Sequence, residues 1–236
     1  LDASLYSNKI PSKVYTALIE SAHQQLKYLY KYFDFKRKKL NLSKLNYWDL
    51  RINFTKQKPL SFTYQQAVEI ILEALKPLGK EYLKVLKNGL QKGWVDRYEN
   101  KGKYNGAFSG GSFDTDPYIL MNFDGSLNRV FTLIHEGGHS MHSWFSHKNQ
   151  PYQDSYYTIT IAEIASTVNE RLLTNYLLKK YKNTSHFIQI LLYEIDAIRS
   201  TFFRQTMFAE FELKIHQINQ QGTELTATIL CAEYQK

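Results

Sequence analysis

The sequence predicts a mainly α-helical fold with one small β-sheet at its centre. Three observations lead there. Apolar residues recur at three- and four-residue steps through most of the chain, as in helices that bury one face. Residues 101–123, "KGKYNGAFSGGSFDTDPYILMNF", break that rhythm with four glycines and a proline around two short aromatic and branched runs. The 236 residues, 43% hydrophobic and 15% aromatic, suffice for a packed core in one large domain or two small ones.

From residue 11 to about 35, Val14, Leu18, Ala22, Leu26, Leu29 and Phe33 trace one stripe of a long amphipathic helix, with Pro11 placed as a first-turn proline. The basic run "FKRKKL", residues 35–40, reads as its solvated end. After "LNYWDLRINF", a loop or short extended segment, "SFTYQQAVEIILEALKPLG" offers hydroxyl caps and a stripe through Ala67, Ile71, Ala74 and Leu75 that stops near Pro77. A further helix runs to about residue 90. Within the glycine-rich stretch "YNGAF" and "PYILMNF" are the expected strands. Their sheet either completes the core as an ordinary hairpin or offers an edge to which an extended peptide adds itself. Residues 184–217 read as helix again, as one long element.

Between these lies "TLIHEGGHSMHSWF", residues 132–145. Ser126 is placed as the N-cap of a helix whose apolar face runs through Leu127, Val130, Ile134, Met141 and Phe145. Residues four apart share a helix face, so His135 and His139 can offer nitrogens to one ion, with Glu136 a quarter-turn round. This is the His-Glu-x-x-His arrangement of zinc hydrolases, where two histidines hold the metal and the glutamate takes a proton from water. Core packing gives no reason for Glu136. Gly137 and Gly138 each cost about 1 kcal/mol relative to alanine inside a helix, which points to another backbone passing close by.

A catalytic zinc takes three protein ligands and keeps a fourth position open. The metzincin extension requires Gly at 142 and His at 145, whereas the chain has His142 and Phe145, which excludes that class. The next helix, "TITIAEIASTVNERLL", is expected to turn Ile161, Ile164, Val168 and Leu172 inward and to carry Glu163, Thr167 and Glu170 on a polar stripe. Glu163 facing the first helix completes a two-His, one-Glu set. Glu170, two turns on, either accepts the spare N–H of a ligand histidine or faces solvent.

Composition narrows the setting. The net charge of +8 comes mainly from Lys scattered among acids, with no zinc-finger or RNP-type pattern, so a nucleic-acid partner is not expected. No run of eighteen apolar residues exists, which argues against a membrane span, and no secretory or transit pattern opens the chain. The one cysteine, Cys231, cannot form an internal disulfide, and the expected compartment is the cytoplasm.

Three blocks in this order, "FSGGSFDTDPYILMNF", "TLIHEGGHSMHSWFS" followed by "QPY", and "AEIASTVNE", resemble the oligoendopeptidase F family of thimet-oligopeptidase-like zinc metallopeptidases. The likeness covers nearly the whole chain. It implies a helical zincin-like peptidase domain with the small sheet beside the His-Glu-x-x-His helix. It also implies one Zn²⁺ per chain on His135, His139 and Glu163, with Glu136 as general base. A strand near Leu120, Met121 and Asn122 is implied as the one against which a peptide substrate lies extended. Short peptides are the implied substrates, cleaved inside the cell, because the site lies in a channel between helical halves. By the same resemblance residues 1–236 form part of one catalytic domain, without the family's N-terminal helical region and the C-terminal segment that carries further His and Tyr groups. The alternative reading is a basic helical binding module, or an inactive fragment, whose metal motif is vestigial or accidental.

Overall fold

The computed structural model describes residues 2–55 and 58–235. The chain divides into two compact units, residues 57–191 and residues 1–56 with 192–236. The first of these carries the His-Glu-x-x-His helix. In the second, α1 (Asp2–Tyr6) precedes the long α2 (Ser12–Lys39).

Helices and a small sheet build the 57–191 unit. Helix α3 (Tyr64–Ala74) starts at a reciprocal cap, in which Thr63 Oγ1 accepts from the Gln66 N–H and Gln66 Oε1 accepts from the Thr63 N–H. It ends just before a short 3₁₀ turn containing Pro77, and α4 (Lys80–Lys92) follows. Strands β1 (Val95–Asp96), β2 (Phe108–Gly110) and β3 (Tyr118–Leu120) pair in the order β1-β3-β2, with β1 parallel and β2 antiparallel to β3. Helices α5 (Leu127–Asn149) and α6 (Ile159–Lys180) pack side by side, and α7 (His186–Ile198) leads out of the unit. Ser126 caps α5 as its sequence suggests, its Oγ accepting from the Arg129 N–H at 3.3 Å. The core joins Ala67, Ile71 and Leu75 to Leu90, Ile119, Met121, Ile134 and Leu177, all at or near zero exposure.

The sheet differs from expectation in one respect that matters for function. Of "YNGAF" only Phe108 is in a strand, and β2 continues over Ser109 and Gly110 instead. The short β1 carries no pattern long enough to read. Together they make β3 the central strand, with Ile119 and Met121 donating to the Trp94 and Asp96 carbonyls on one side and β2 paired on the other.

Two helix faces are rotated from their expected positions. On α2 the covered stripe runs Tyr15, Ile19, Ala22, Leu26, Leu29 and Phe33, while Val14 and Leu18 are exposed. Extended one step, this stripe reaches Lys36, which is buried and donates to the Leu50 carbonyl with its Nζ 5.7 Å from the Phe54 ring centre. Burial lowers the Lys36 pKa. The basic run is therefore a solvated helix end only in part. On α6 the inward stripe is Ala162, Ser166, Asn169, Leu173 and Leu177, and Ile161, Ile164 and Val168 stand exposed. The expected long C-terminal helix is found as α7, a π-helical turn (Arg199–Phe203) and α8 (Arg204–Gln220), after which α9 (Ala227–Tyr234) follows.

Candidate metal centre

The site rests on the contact between α5 and α6. A Cβ added at Gly138 would lie 2.8 Å from Ser166 Cα and 2.9 Å from the Ala165 carbonyl oxygen, so only glycine lets the two helix backbones approach this closely. Gly137 is different. Its Cβ would meet only the Leu86 Cδ1 methyl, at 3.4 Å. One glycine of the pair therefore has the expected role. Asn169, buried, ties the contact together, its Nδ2 donating to the Tyr82 hydroxyl at 2.8 Å and to the Ile134 carbonyl at 3.5 Å. Burial pushes the Tyr82 hydroxyl up to about 12, against the lowering effect of Asn169.

With the helices this close, three ligand atoms converge. His135 Nε2 and His139 Nε2 are 3.1 Å apart, and Glu163 Oε2 lies 3.6 Å from the first and 3.7 Å from the second. Atoms about 2.0–2.1 Å from a common centre at tetrahedral angles are separated by roughly 3.3 Å, so this triangle has the size that a zinc site requires. The donor set of two imidazoles and one carboxylate also fits. Among the described residues it is the one group of three His, Cys, Asp or Glu side chains placed to share an ion.

The surroundings fix the ligands. His135 Nδ1 contacts Glu170 Oε1 at 2.6 Å, so a neutral ring carries its proton there and turns the lone pair of Nε2 toward the triangle. Of the two readings left open for Glu170, the histidine partner is the one found. Burial disfavours the His135 cation, yet Glu170, helped by Glu136 and Glu163, outweighs it and the pKa is raised. For His139, burial and the neighbouring His135 lower the pKa, against Glu163 and a hydrogen bond with the Ala162 main chain. Glu163 Oε2 accepts from Ser166 Oγ at 2.8 Å. Thr167, expected on the same polar stripe, instead bonds back to the Glu163 carbonyl at 2.5 Å and takes no part.

Glu136 is buried at 8% exposure. Its pKa is raised first by that burial and further by Glu163 and Glu170, against His135 and a hydrogen bond from the Ser109 main chain. A carboxyl held above its ordinary range is suited to moving a proton near neutral pH. The sheet meets this face directly, since Ser109 Oγ and Ser140 Oγ are 2.7 Å apart. His142 lies outside the triangle. It stacks on Tyr157 with ring centres 3.8 Å apart and planes at 17°.

Leu120, Met121 and Asn122 do not offer the edge expected of them. Leu120 is in the central strand, Met121 is fully buried, and the Asn122 side chain donates to the Tyr104 and Gly106 carbonyls. The Leu120 backbone, already paired on both sides, cannot bind a further strand. The strand facing α5 with one side unpaired among the described residues is β2. Sequence reading also missed Ser109, Ser140, Ser166 and Asn169. Of these, Ser166, three residues after Glu163 on a helix, carried a readable signal.

The profile of peptidase family M3 matches residues 1–236. The chain is 44% identical over 233 residues to oligopeptidase PepF of Bacillus subtilis, covering 99% of this chain and 35% of that protein. It is 50% identical over 232 residues to an oligoendopeptidase F homolog of Borreliella burgdorferi, covering 98% of this chain and 39% of that protein. The chain thus spans little more than a third of the length of these relatives. Among solved structures, oligoendopeptidase-F from Enterococcus faecium superposes with a TM-score of 0.64 at 31% identity, over 99% of this chain and 35% of that one.

Proposed function

Because the chain belongs to peptidase family M3, we propose that it carries the metal centre of a zinc-dependent endopeptidase that hydrolyses short peptides. The observation that carries this reading is the triangle of His135 Nε2, His139 Nε2 and Glu163 Oε2 beside a buried Glu136. His135, His139 and Glu163 would hold one zinc ion, and Glu170 would orient His135. Bound zinc supplies Lewis acidity, which acidifies water and polarises the scissile carbonyl.

The chain's own groups do the rest. Glu136 accepts the proton of the attacking water and returns it to the departing amine. Burial, and then the neighbouring Glu163 and Glu170, raise its basicity. The outer side of β2 takes the peptide main chain in extended form through the Ser109 carbonyl, the Ser109 N–H being bonded to Glu136 on α5. A strand held there brings one carbonyl toward the triangle at a fixed register. We take residues 1–236 as part of one catalytic domain, and the cytoplasm as its setting. Among the described residues no helix is long and apolar enough to cross a membrane.

Two measurements test this. Purified protein should contain about one zinc per chain and lose it on His139→Ala. Glu136→Gln should retain the metal while hydrolysis of a quenched fluorescent peptide falls by roughly 10²–10⁴-fold. Protein that takes up no zinc, or a Glu136→Gln variant that cleaves normally, contradicts the proposal.

A further inference from the structure

Beyond the metal triangle, α5 continues the same face toward a cavity. Glu136, Ser140, Ser143 and His147 follow one another at steps of four, three and four residues, so they form one stripe. The first two meet Ser109 of β2. The last two line a cavity of about 220 Å³ that begins at Gly110, the final residue of β2. Seven residues of helix separate Glu136 from Ser143, a rise of roughly 10 Å. An extended chain covers that distance in about three residues.

The walls are aromatic and the floor is backbone. Phe113 packs edge-on against Tyr152 with ring centres 5.5 Å apart, and its ring centre lies 5.2 Å from that of His147. Tyr157 is braced from two directions, by its stack on His142 and by its hydroxyl 2.5 Å from Ser143 Oγ. At Gly111, φ is +148° and a Cβ would fall 3.3 Å from Pro117 Cα, so the base of the cavity stays bare. Apart from His147, the lining residues include no ionisable acid or base other than tyrosine.

From this geometry we propose that the cavity is a side-chain subsite, which takes a neutral aromatic residue of the peptide within about three positions of the cleaved bond. The proposal rests on the peptidase reading for its substrate and adds a specificity to it. The volume suits a single ring, since an apolar cavity of about 150 Å³ accepts benzene. Charged side chains are selected against, because the walls offer hydroxyls but, apart from His147, no ionisable partner to offset lost hydration. Serine and tyrosine hydroxyls in the lining favour an occupant with an aromatic body over a purely aliphatic one.

The test uses the zinc-loaded protein and a set of labelled Ala/Ser peptides in which Phe, Tyr, Gly, Glu or Lys is placed at each position in turn. Cleavage sites and kcat/KM are read by mass spectrometry, and Kd is read separately on Glu136→Gln by fluorescence anisotropy. At one position near the cleaved bond, Phe and Tyr should exceed Gly by on the order of tenfold and Glu and Lys by more. That ratio should shrink toward unity in both Phe113→Ala and Tyr152→Ala. Equal Kd values for Phe and Gly peptides at every position, or a ratio that survives both substitutions, overturns the subsite. If no peptide is cleaved, the peptidase reading fails instead, and the Kd ratios still decide whether the cavity selects aromatic side chains.

Discussion

Glu170 shows how a single side chain sets the chemistry of its neighbour. By accepting from His135 Nδ1 it chooses the tautomer, raises ring basicity and aims Nε2 at the other two ligand atoms. Glu170→Gln should therefore weaken zinc binding about 10–100-fold in competition with a chelator, while leaving the helices folded. An unchanged affinity would remove Glu170 from the centre. The raised His135 pKa has a consequence of its own. Zinc requires the neutral ring, so protons compete with the metal from a pH above the ordinary histidine value of 6.5, and affinity falls as pH drops through the raised value. Zinc titrations at several pH values check that direction. His135, Glu136 and His139 were legible because helix spacing alone puts them within reach of one another, and Glu163 because its block resembles that of the family. Asn169 and Ser109 were not, because their roles depend on which helix and which strand arrive beside them.

At the scale of the elements, the α5–α6 contact explains both a success and a failure of sequence reading. A glycine pair inside a helix signals a close neighbour, and Gly138 has one. The same closeness requires small groups on α6, so Ala162, Ser166 and Asn169 turn inward and the branched residues Ile161, Ile164 and Val168 turn out. Periodicity finds the most apolar face of a helix; it cannot tell that a partner's missing side chains select the smallest face instead. Two substitutions should diverge accordingly. Gly138→Ala should destabilise by about 1–3 kcal/mol through overpacking, partly offset by helix propensity. Gly137→Ala, facing only the movable end of Leu86, should be neutral or stabilising by up to about 1 kcal/mol. Urea unfolding measures both, and equal effects would contradict the assigned contact. The strands were hard to read because none exceeds three residues, too short for alternation to show.

For the whole molecule, helix content, the place of the sheet midway along the chain and the long α7–α8 segment all follow from pattern, whereas strand order does not, since pairing is a property of distant segments. The proposed zinc would tie these levels together. Ligands from two helices joined by one ion should make stability depend on zinc, rising by about 4 kcal/mol at a free concentration a thousand times Kd. Thermal melts with and without chelator read this, and a melting temperature indifferent to zinc would contradict a bound ion that bridges α5 and α6. The central claim is tested most directly by crystals of the zinc-loaded protein, with anomalous scattering collected on both sides of the zinc absorption edge. The account predicts one peak about 2.0–2.2 Å from His135 Nε2, His139 Nε2 and Glu163 Oε2. A peak elsewhere, or ligand atoms that remain together with no density between them at saturating zinc, would contradict it.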